Sequence, residues 1–387
     1  MGRKSLLKQN YTEDGNTGSA PSAAFEDIVS SLNKQLGNVA YVLGDEDIPS
    51  EVKEFISTGS VILDTIISNN REHGGVPVGR LSTCAGESAT GKSLLGYMIL
   101  KNCKDRGGIP VLIDTENTAD FSFLKMIGLD PEKREMIYIQ VDSTEDVFIA
   151  MEAIIKKIRT DYKDKLCCIV WDSVAATSTR KELENEYGES TMGLQARLIG
   201  QGLRKIIRYI GRERIALVFL NQLRCKIGAP AFVDPFTESG GLAIPFHASV
   251  RLRLYSAGKI KIGTDTIGAS IKVRVQKNKL GPPFRECLLN MYYNRGIIEE
   301  ETWLDMLREL QVVKEISKQK SSIDFNGQII EFKNKEFSDF IRKEENKEIN
   351  EFLRTRIKDV LFVEQDPSKR DEDVLVEELT STEAVDV

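Results

Sequence analysis

The sequence predicts an α/β protein built on a mixed, mostly parallel central sheet, preceded by a helix-strand segment and followed by a small α+β unit. Three observations carry that prediction. Between about residues 58 and 299, short apolar runs (Val111–Ile113, Ile137–Val141, Cys167–Trp171 and Ile215–Leu220) alternate with helical patterns. That order covers a parallel sheet with helices on both faces. Ser249–Tyr255 and Ala269–Gln276 instead alternate apolar with polar residues, which predicts half-exposed, antiparallel strands. Finally, Gly86–Ser93 reads G-x-x-x-x-G-K-S between a strand and a helix, the setting in which that loop type belongs.

The elements follow in order. Residues 1–23 are polar and are expected to be disordered. In 24–57, Phe25, Ile28, Val29, Leu32 and Leu36 fall at helical spacing, Gly37 stops the helix, and a strand-like piece, Val39–Leu43, follows. This segment is too small to bury its own apolar face, so it must dock, either on its own domain or on a neighbouring copy. In the core, 58–299, the clearest helix places Val147, Ala150, Met151, Ile154, Ile155 and Ile158 on one face after a Thr144 cap. In 300–363, Phe325-Asn326-Gly327-Gln328-Ile329 predicts a hairpin with an Asn-Gly turn. A helix with Ile349, Phe352, Leu353, Ile357 and Val360 then leads to an acidic, disordered tail, 364–387.

Composition excludes several classes. The longest apolar runs are short, as in Ile215–Leu220, so no segment spans a bilayer, and the first residues lack the apolar stretch of a secretory signal. Six cysteines, none spaced C-x-x-C, and two histidines argue against zinc and a disulfide framework and for a reduced, cytoplasmic setting. A net charge of −6 argues at first sight against nucleic acid. Its distribution reverses that reading. The tail holds nine acids and two bases, a net of −7, which leaves residues 1–363 at +1. Residues 197–295 hold 18 bases and five acids.

The strongest local signal is Gly86-Glu87-Ser88-Ala89-Thr90-Gly91-Lys92-Ser93. Glycines let such a loop wrap phosphate oxygens with backbone N–H groups, Lys92 reaches the outer phosphates and the Ser93 hydroxyl binds Mg²⁺. Asp172 ends an apolar run where a Walker B acid orients the Mg²⁺ shell, or where a lone acid caps the next helix. Glu116 lies just past Val111–Ile113 and is a candidate base for activating water, with Asp114 and Asp120 as close competitors. Asn221-Gln222 ends another run; a polar pair there senses a γ-phosphate or satisfies loop backbone.

Together these residues resemble the RecA recombinase family. Ile56-Ser57-Thr58-Gly59-Ser60, the phosphate loop, Asp172-Ser173-Val174-Ala175-Ala176 and Met192-Gly193-Leu194-Gln195-Ala196-Arg197 occur in the family's order. So do Asn221–Gly228, Ala248–Leu252 and Lys277-Asn278-Lys279, over about residues 24–360. The pattern is closer to the bacterial branch than to divergent phage-encoded relatives. The resemblance implies ATP and Mg²⁺ as cofactors and Glu116 as the catalytic glutamate. It makes Gln222 the γ-phosphate sensor and sets Lys277 and Lys279 in the neighbouring subunit's ATP site. Phe123 and Tyr293 would contact the adenine. The segment 24–43 would dock on the next protomer. Two DNA-binding loops are implied. One covers Glu184–Arg197, centred on Met192 and Gly193 and ending on Arg197; Arg204, beyond it, is also an expected DNA contact. The other covers Leu223–Gly241 and carries Arg224, Lys226, Phe232, Gly240 and Gly241. The second loop is one residue longer than usual, Pro245 replaces a lysine, His247 stands where an aromatic is common, and Glu87 replaces a proline.

The implied function is an ATP-dependent DNA strand-exchange protein of the bacterial or phage-infected cytosol. It would form a helical homo-oligomeric filament on single-stranded DNA and pair it with homologous duplex, aided by single-strand-binding and mediator or loader proteins, with no membrane partner. The alternatives are a hexameric helicase or clock-like motor, and a DNA-binding scaffold that uses ATP only as a switch.

Overall fold

The structure, a computed structural model, describes residues 21–43, 48, 51–69, 72–186, 193–225 and 236–362. The chain divides into two units, residues 1–51 and 52–387.

In the first unit, α1 (Pro21–Leu36) begins inside the stretch expected to be disordered. Its apolar stripe is uncovered within the unit: Phe25, Ile28 and Leu36 are all more than half exposed. The strand expected at Val39–Leu43 is not formed. The Asn33 side chain accepts from the Val39 and Ala40 N–H groups and donates to the Ala40 carbonyl, each at 2.9 Å. Backbone groups that a strand would offer to a ladder are thereby folded back onto the helix.

The second unit opens with a small antiparallel pair, β1 (Phe55–Ile56) and β2 (Val76–Pro77), around α2 (Val61–Ser68). There follow β3 (Leu81–Gly86), α3 (Lys92–Asp105), β4 (Ile109–Asp114), α4 (Phe121–Met126), β5 (Ile137–Gln140) and α5 (Thr144–Asp161). Next come β6 (Cys167–Asp172), α6 (Arg180–Glu184), α7 (Leu194–Ile210), β7 (Ile215–Cys225), β8 (Phe236–Glu238) and α8 (Ala243–His247). The sheet is completed by β9 (Val250–Ile262), β10 (Asp265–Asn278), β11 (Glu286–Tyr292) and β12 (Gly296–Ile297). Its order is β12-β11-β10-β9-β3-β7-β6-β4-β5, with β8 paired to the end of β7. The strands from β3 to β5 and the β3–β9 pair are parallel. Thus β9 is not purely antiparallel, as its alternation predicts: it joins β3 in parallel on one side and β10 antiparallel on the other.

Side chains on the two sheet faces pack into two cores. One joins β3, β6 and β7 residues to α2 and α3 through Leu95, Ile99, Val170 and Leu220. The other buries Trp171 and Phe219 under α5 and α7, with their rings 4.9 Å apart and Phe148 5.9 Å from Trp171. Helix α5 is capped one residue earlier than the sequence suggests: Ser143 accepts the Asp146 N–H at 3.0 Å, and Thr144 is already helical. Ser143 has the extended backbone that an N-cap needs.

The C-terminal residues form α9 (Glu300–Glu309), β13 (Val313–Ser317), β14 (Lys320–Phe325), β15 (Gln328–Lys333), α10 (Phe337–Arg342) and α11 (Lys347–Leu361). The Asn-Gly hairpin is present between β14 and β15, with Asn326 at φ 54° and Gly327 at φ 81°. That pair of left-handed residues matches the twist of the flanking strands. Trp303, Leu353 and Ile357 join the same core as α2 and α3.

Candidate nucleotide site and nucleic-acid face

The parallel strands end together and set the site at their carboxyl edge, where ligands bind in such sheets. Gly86 of β3 is in register with Gln222 of β7, and Asp114 of β4 with Asp172 of β6. From Gly86 the chain loops through Glu87, Ser88, Ala89 and Thr90 into α3, which starts at Lys92. Gly91 has φ 77°, a left-handed backbone that favours glycine, and a Cβ there would lie 2.3 Å from the Met291 sulfur, which would have to move. Thr90 Oγ1 and Lys92 Nζ both donate to the Glu87 carbonyl, at 2.8 and 2.7 Å. The loop thus keeps its shape by itself, with Lys92 folded over its mouth.

Asp172 is buried. Burial pushes that carboxyl up to about 6, with repulsion from Glu116 and Asp114 adding to it, while Ser93 and Lys92 act the other way. A cation placed here would relieve the repulsion. A carboxylate and a hydroxyl are hard oxygen donors, and the N-terminus of a 14-residue helix favours an anion beside it. The donor set therefore fits Mg²⁺ held beside phosphate oxygens.

The three competing acids separate by their partners. The Asp114 carboxylate accepts the N–H groups of Glu116, Asn117, Thr118 and Ala119 at 2.9–3.1 Å, plus the Tyr138 hydroxyl at 2.9 Å. Asp120 caps α4 by accepting from Ser122 and Phe123. Both acids are thus engaged in building backbone. Glu116 is exposed, and its carboxylate accepts a hydrogen bond from the Ser173 hydroxyl, next to Asp172. Ser173 and Tyr138 carry no role in the sequence reading. The only signal for Ser173 is its place directly after Asp172, the acid that ends β6, and Tyr138 has none.

Phe123 is half-buried on α4, with its ring 6.4 Å from Tyr97 of α3, and Tyr293 is exposed on the turn after β11. Asn221 donates to the Ser239 carbonyl at 2.8 Å, taking the loop-backbone role, while Gln222 lies beside Gly86. Lys277 and Lys279 are not brought to the phosphate loop of their own chain. The end of β10 pairs with the start of β9, where Val250 faces Ser82 rather than Gly86. Four residues of strand, roughly 13 Å, separate those levels. Lys277 Nζ donates there to the Pro245 and Phe246 carbonyls, at 2.7 and 3.1 Å. Burial and the charges of Arg204, Lys279 and Lys277 hold the His247 imidazole below its ordinary range. Lys277, Lys279 and Arg204 therefore form one positive cluster around His247.

Of the first loop, Gly193 is described, at φ 78° before α7, with Arg197 exposed in the first turn. Met192 lies outside the described residues, as do Lys226 and Phe232 of the second loop. The second loop is shorter at its root than expected. Leu223, Arg224 and Cys225 continue β7 and pair with Phe236–Glu238. Gly240 is buried against Ile244 and Ile199, and Gly241 is exposed. At this root lies a cleft of about 680 Å³ lined by Arg251, Arg253, Arg274, Tyr255, Phe236 and Phe284, with Glu238 also in its wall and ion-paired to Arg251 at 2.6 Å. The Arg253 guanidinium stands 5.0 Å from the Phe236 ring and 5.3 Å from Tyr255, and Arg274 5.6 Å from Phe284.

Residues 23–298 match the family of the RecA N-terminal domain. The chain belongs to the RecA family. It is 34% identical over 292 residues to Protein RecA of Francisella philomiragia, a match that covers 75% of this chain and 77% of that relative. Protein RecA of Francisella tularensis subsp. novicida matches with the same identity and coverage. The RecA family is a family of recombinases, and the mixed, mostly parallel central sheet is consistent with its core. No helix among the described residues is long and apolar enough to cross a membrane.

Proposed function

We propose that this RecA family chain is a DNA-dependent ATPase that assembles as a helical filament on single-stranded DNA and exchanges it with homologous duplex. The observation that carries the reading is the path of β7. The strand passes Gln222, level with Gly86 of the phosphate loop, and runs directly into the root of the second loop at Leu223–Cys225. A change at the γ-phosphate therefore reaches the DNA-facing loop through three residues of one strand.

In this reading Gly86–Ser93 cradles the phosphates and Lys92 leaves the Glu87 carbonyl to contact them. Ser93 and Asp172 would hold Mg²⁺, which supplies charge stabilisation to the transferring phosphoryl group. Glu116, aligned by Ser173, takes the proton of the attacking water. Phe123 and Tyr293 flank the base. Lys277 and Lys279 act on the ATP of an adjacent copy, which accounts for their distance from their own phosphate loop. The open stripe of α1 supports docking on that neighbour. Arg197, Arg204 and Arg224 contact the strand, together with Met192, Gly193, Lys226, Phe232, Gly240 and Gly241. The arginine-aromatic cleft has the chemistry that binds a phosphate backbone and stacked bases without reading sequence. Single-strand-binding and loader proteins would act on the same strand.

The test is ATP turnover with and without single-stranded DNA, together with electron microscopy. Wild type is expected to hydrolyse ATP faster on single strands and to form open filaments, while Lys92→Ala loses turnover. A Lys92→Ala protein that turns over at the wild-type rate would sink the site assignment. Closed rings that unwind duplex would favour a helicase instead.

A further inference from the structure

The loop that carries Glu116 is held by side chains of the outermost strand of the sheet, β5. Tyr138 donates its hydroxyl to Asp114 at 2.9 Å, and that same carboxylate gathers four successive N–H groups from Glu116 to Ala119. Two residues along β5, Gln140 Nε2 donates to Asn117 Oδ1 at 2.9 Å. Asn117 has φ 54°, a left-handed backbone held by this ring of contacts. The Tyr138 ring also packs edge-on against Phe121, centroids 5.3 Å apart, and Phe121 opens the helix that carries Phe123. One side chain therefore touches both the glutamate loop and the helix of the base-contacting aromatic.

We propose that Tyr138 is a positioning residue for ATP hydrolysis. Its hydroxyl fixes the loop so that Glu116 meets the water, and its ring fixes α4 against the base. Gln140 assists the first task only. This inference rests on the reading of Glu116 given above. Each half predicts a different kinetic loss. Without the hydroxyl, Asp114 loses a donor that is not part of the loop, and Glu116 is held less firmly while the nucleotide pocket stays intact. Without the ring, α4 loses its support as well.

The experiment is steady-state ATP hydrolysis on single-stranded DNA by full-length variants, with thermal melting alongside. Tyr138→Phe is expected to lower kcat roughly tenfold at unchanged KM for ATP, since small misplacement of a catalytic group costs rate rather than binding. Tyr138→Leu should lower kcat similarly and also raise KM. Gln140→Ala, at an exposed position, should lower kcat about threefold, and its effect should nearly vanish in the Tyr138→Phe background because both act on one loop. A Tyr138→Phe enzyme with wild-type kcat overturns the proposal. So does a loss of kcat and KM together that tracks a lowered melting temperature across all three variants. Glu116→Gln separates the two levels. If it hydrolyses ATP normally, the assignment of Glu116 fails. If it is inactive while Tyr138→Phe is not impaired, only the role of Tyr138 fails.

Discussion

Replacing Asp114 or Glu116 by its amide tests two neighbouring acids with different duties. Asp114 is buried and accepts five hydrogen bonds. An asparagine presents an NH₂ group to some of those donors, so Asp114→Asn is expected to cost about 2–4 kcal/mol of stability, read by denaturant unfolding. Glu116 is exposed and bonded to Ser173. Glu116→Gln should leave the unfolding midpoint almost unchanged and remove ATP turnover. Equal destabilisation by both changes would contradict this division. The sequence could not divide them, because both acids follow the same apolar run and the deciding partners are backbone N–H groups. Position along a chain does not reveal where a side chain finds its donors. The loop Gly86–Ser93 between β3 and α3 was legible because its signal is local: glycines, lysine and serine stand within eight consecutive residues. Ser173 and Tyr138 act across strands and left no local mark.

Among the elements, α2 carries an unusual end. Glu299, the residue before α9, is buried and accepts at the start of α2 from Ser60 Oγ at 2.5 Å and from the Val61 N–H. The helix end favours its charge, and so does Arg354, but burial dominates and pushes its carboxyl from 4.5 up to about 7, with nearby Asp64 adding to the push. A carboxyl raised on folding binds its proton more tightly in the native state. Its contribution to stability is therefore full below about pH 4.5 and is lost as pH rises to about 7, on the order of 3 kcal/mol. Melting temperature followed from pH 4.5 to 8 should fall less in Glu299→Gln than in wild type over that window. Identical slopes would mean that Glu299 stays ionised in the fold. Strand and helix positions in the α/β core were legible because burial repeats at fixed periods. The Glu299 contact was not, because it joins residues 238 positions apart. The missing strand at Val39–Leu43 failed for a related reason. A strand is defined by its partner, and within this unit Asn33 takes the backbone groups that a partner would use.

Over the whole molecule, charge is segregated more sharply than its total suggests. Residues 197–295 carry a net +13, and those of them described in the structure include the Lys277–Lys279–Arg204–His247 cluster and the arginine-lined cleft. Residues 364–387, outside the described residues, carry −7. An acidic tail tethered to a basic surface is always present at high local concentration and competes with nucleic acid for the same cations. Binding to DNA releases counterions in proportion to the phosphates neutralised, so a competitor that neutralises those cations first both weakens binding and flattens its salt dependence. Deleting residues 364–387 is therefore expected to tighten DNA binding about tenfold near 50 mM salt, to steepen the fall of affinity with salt, and to lose its effect as screening shortens the reach of charge. The gain should be larger for duplex than for single strands, because duplex offers fewer base contacts to compensate for weakened phosphate contacts. Fluorescence anisotropy of full-length and truncated protein across a salt series measures all three. Equal affinity at every salt concentration would show that the basic face is unopposed and that the tail acts elsewhere.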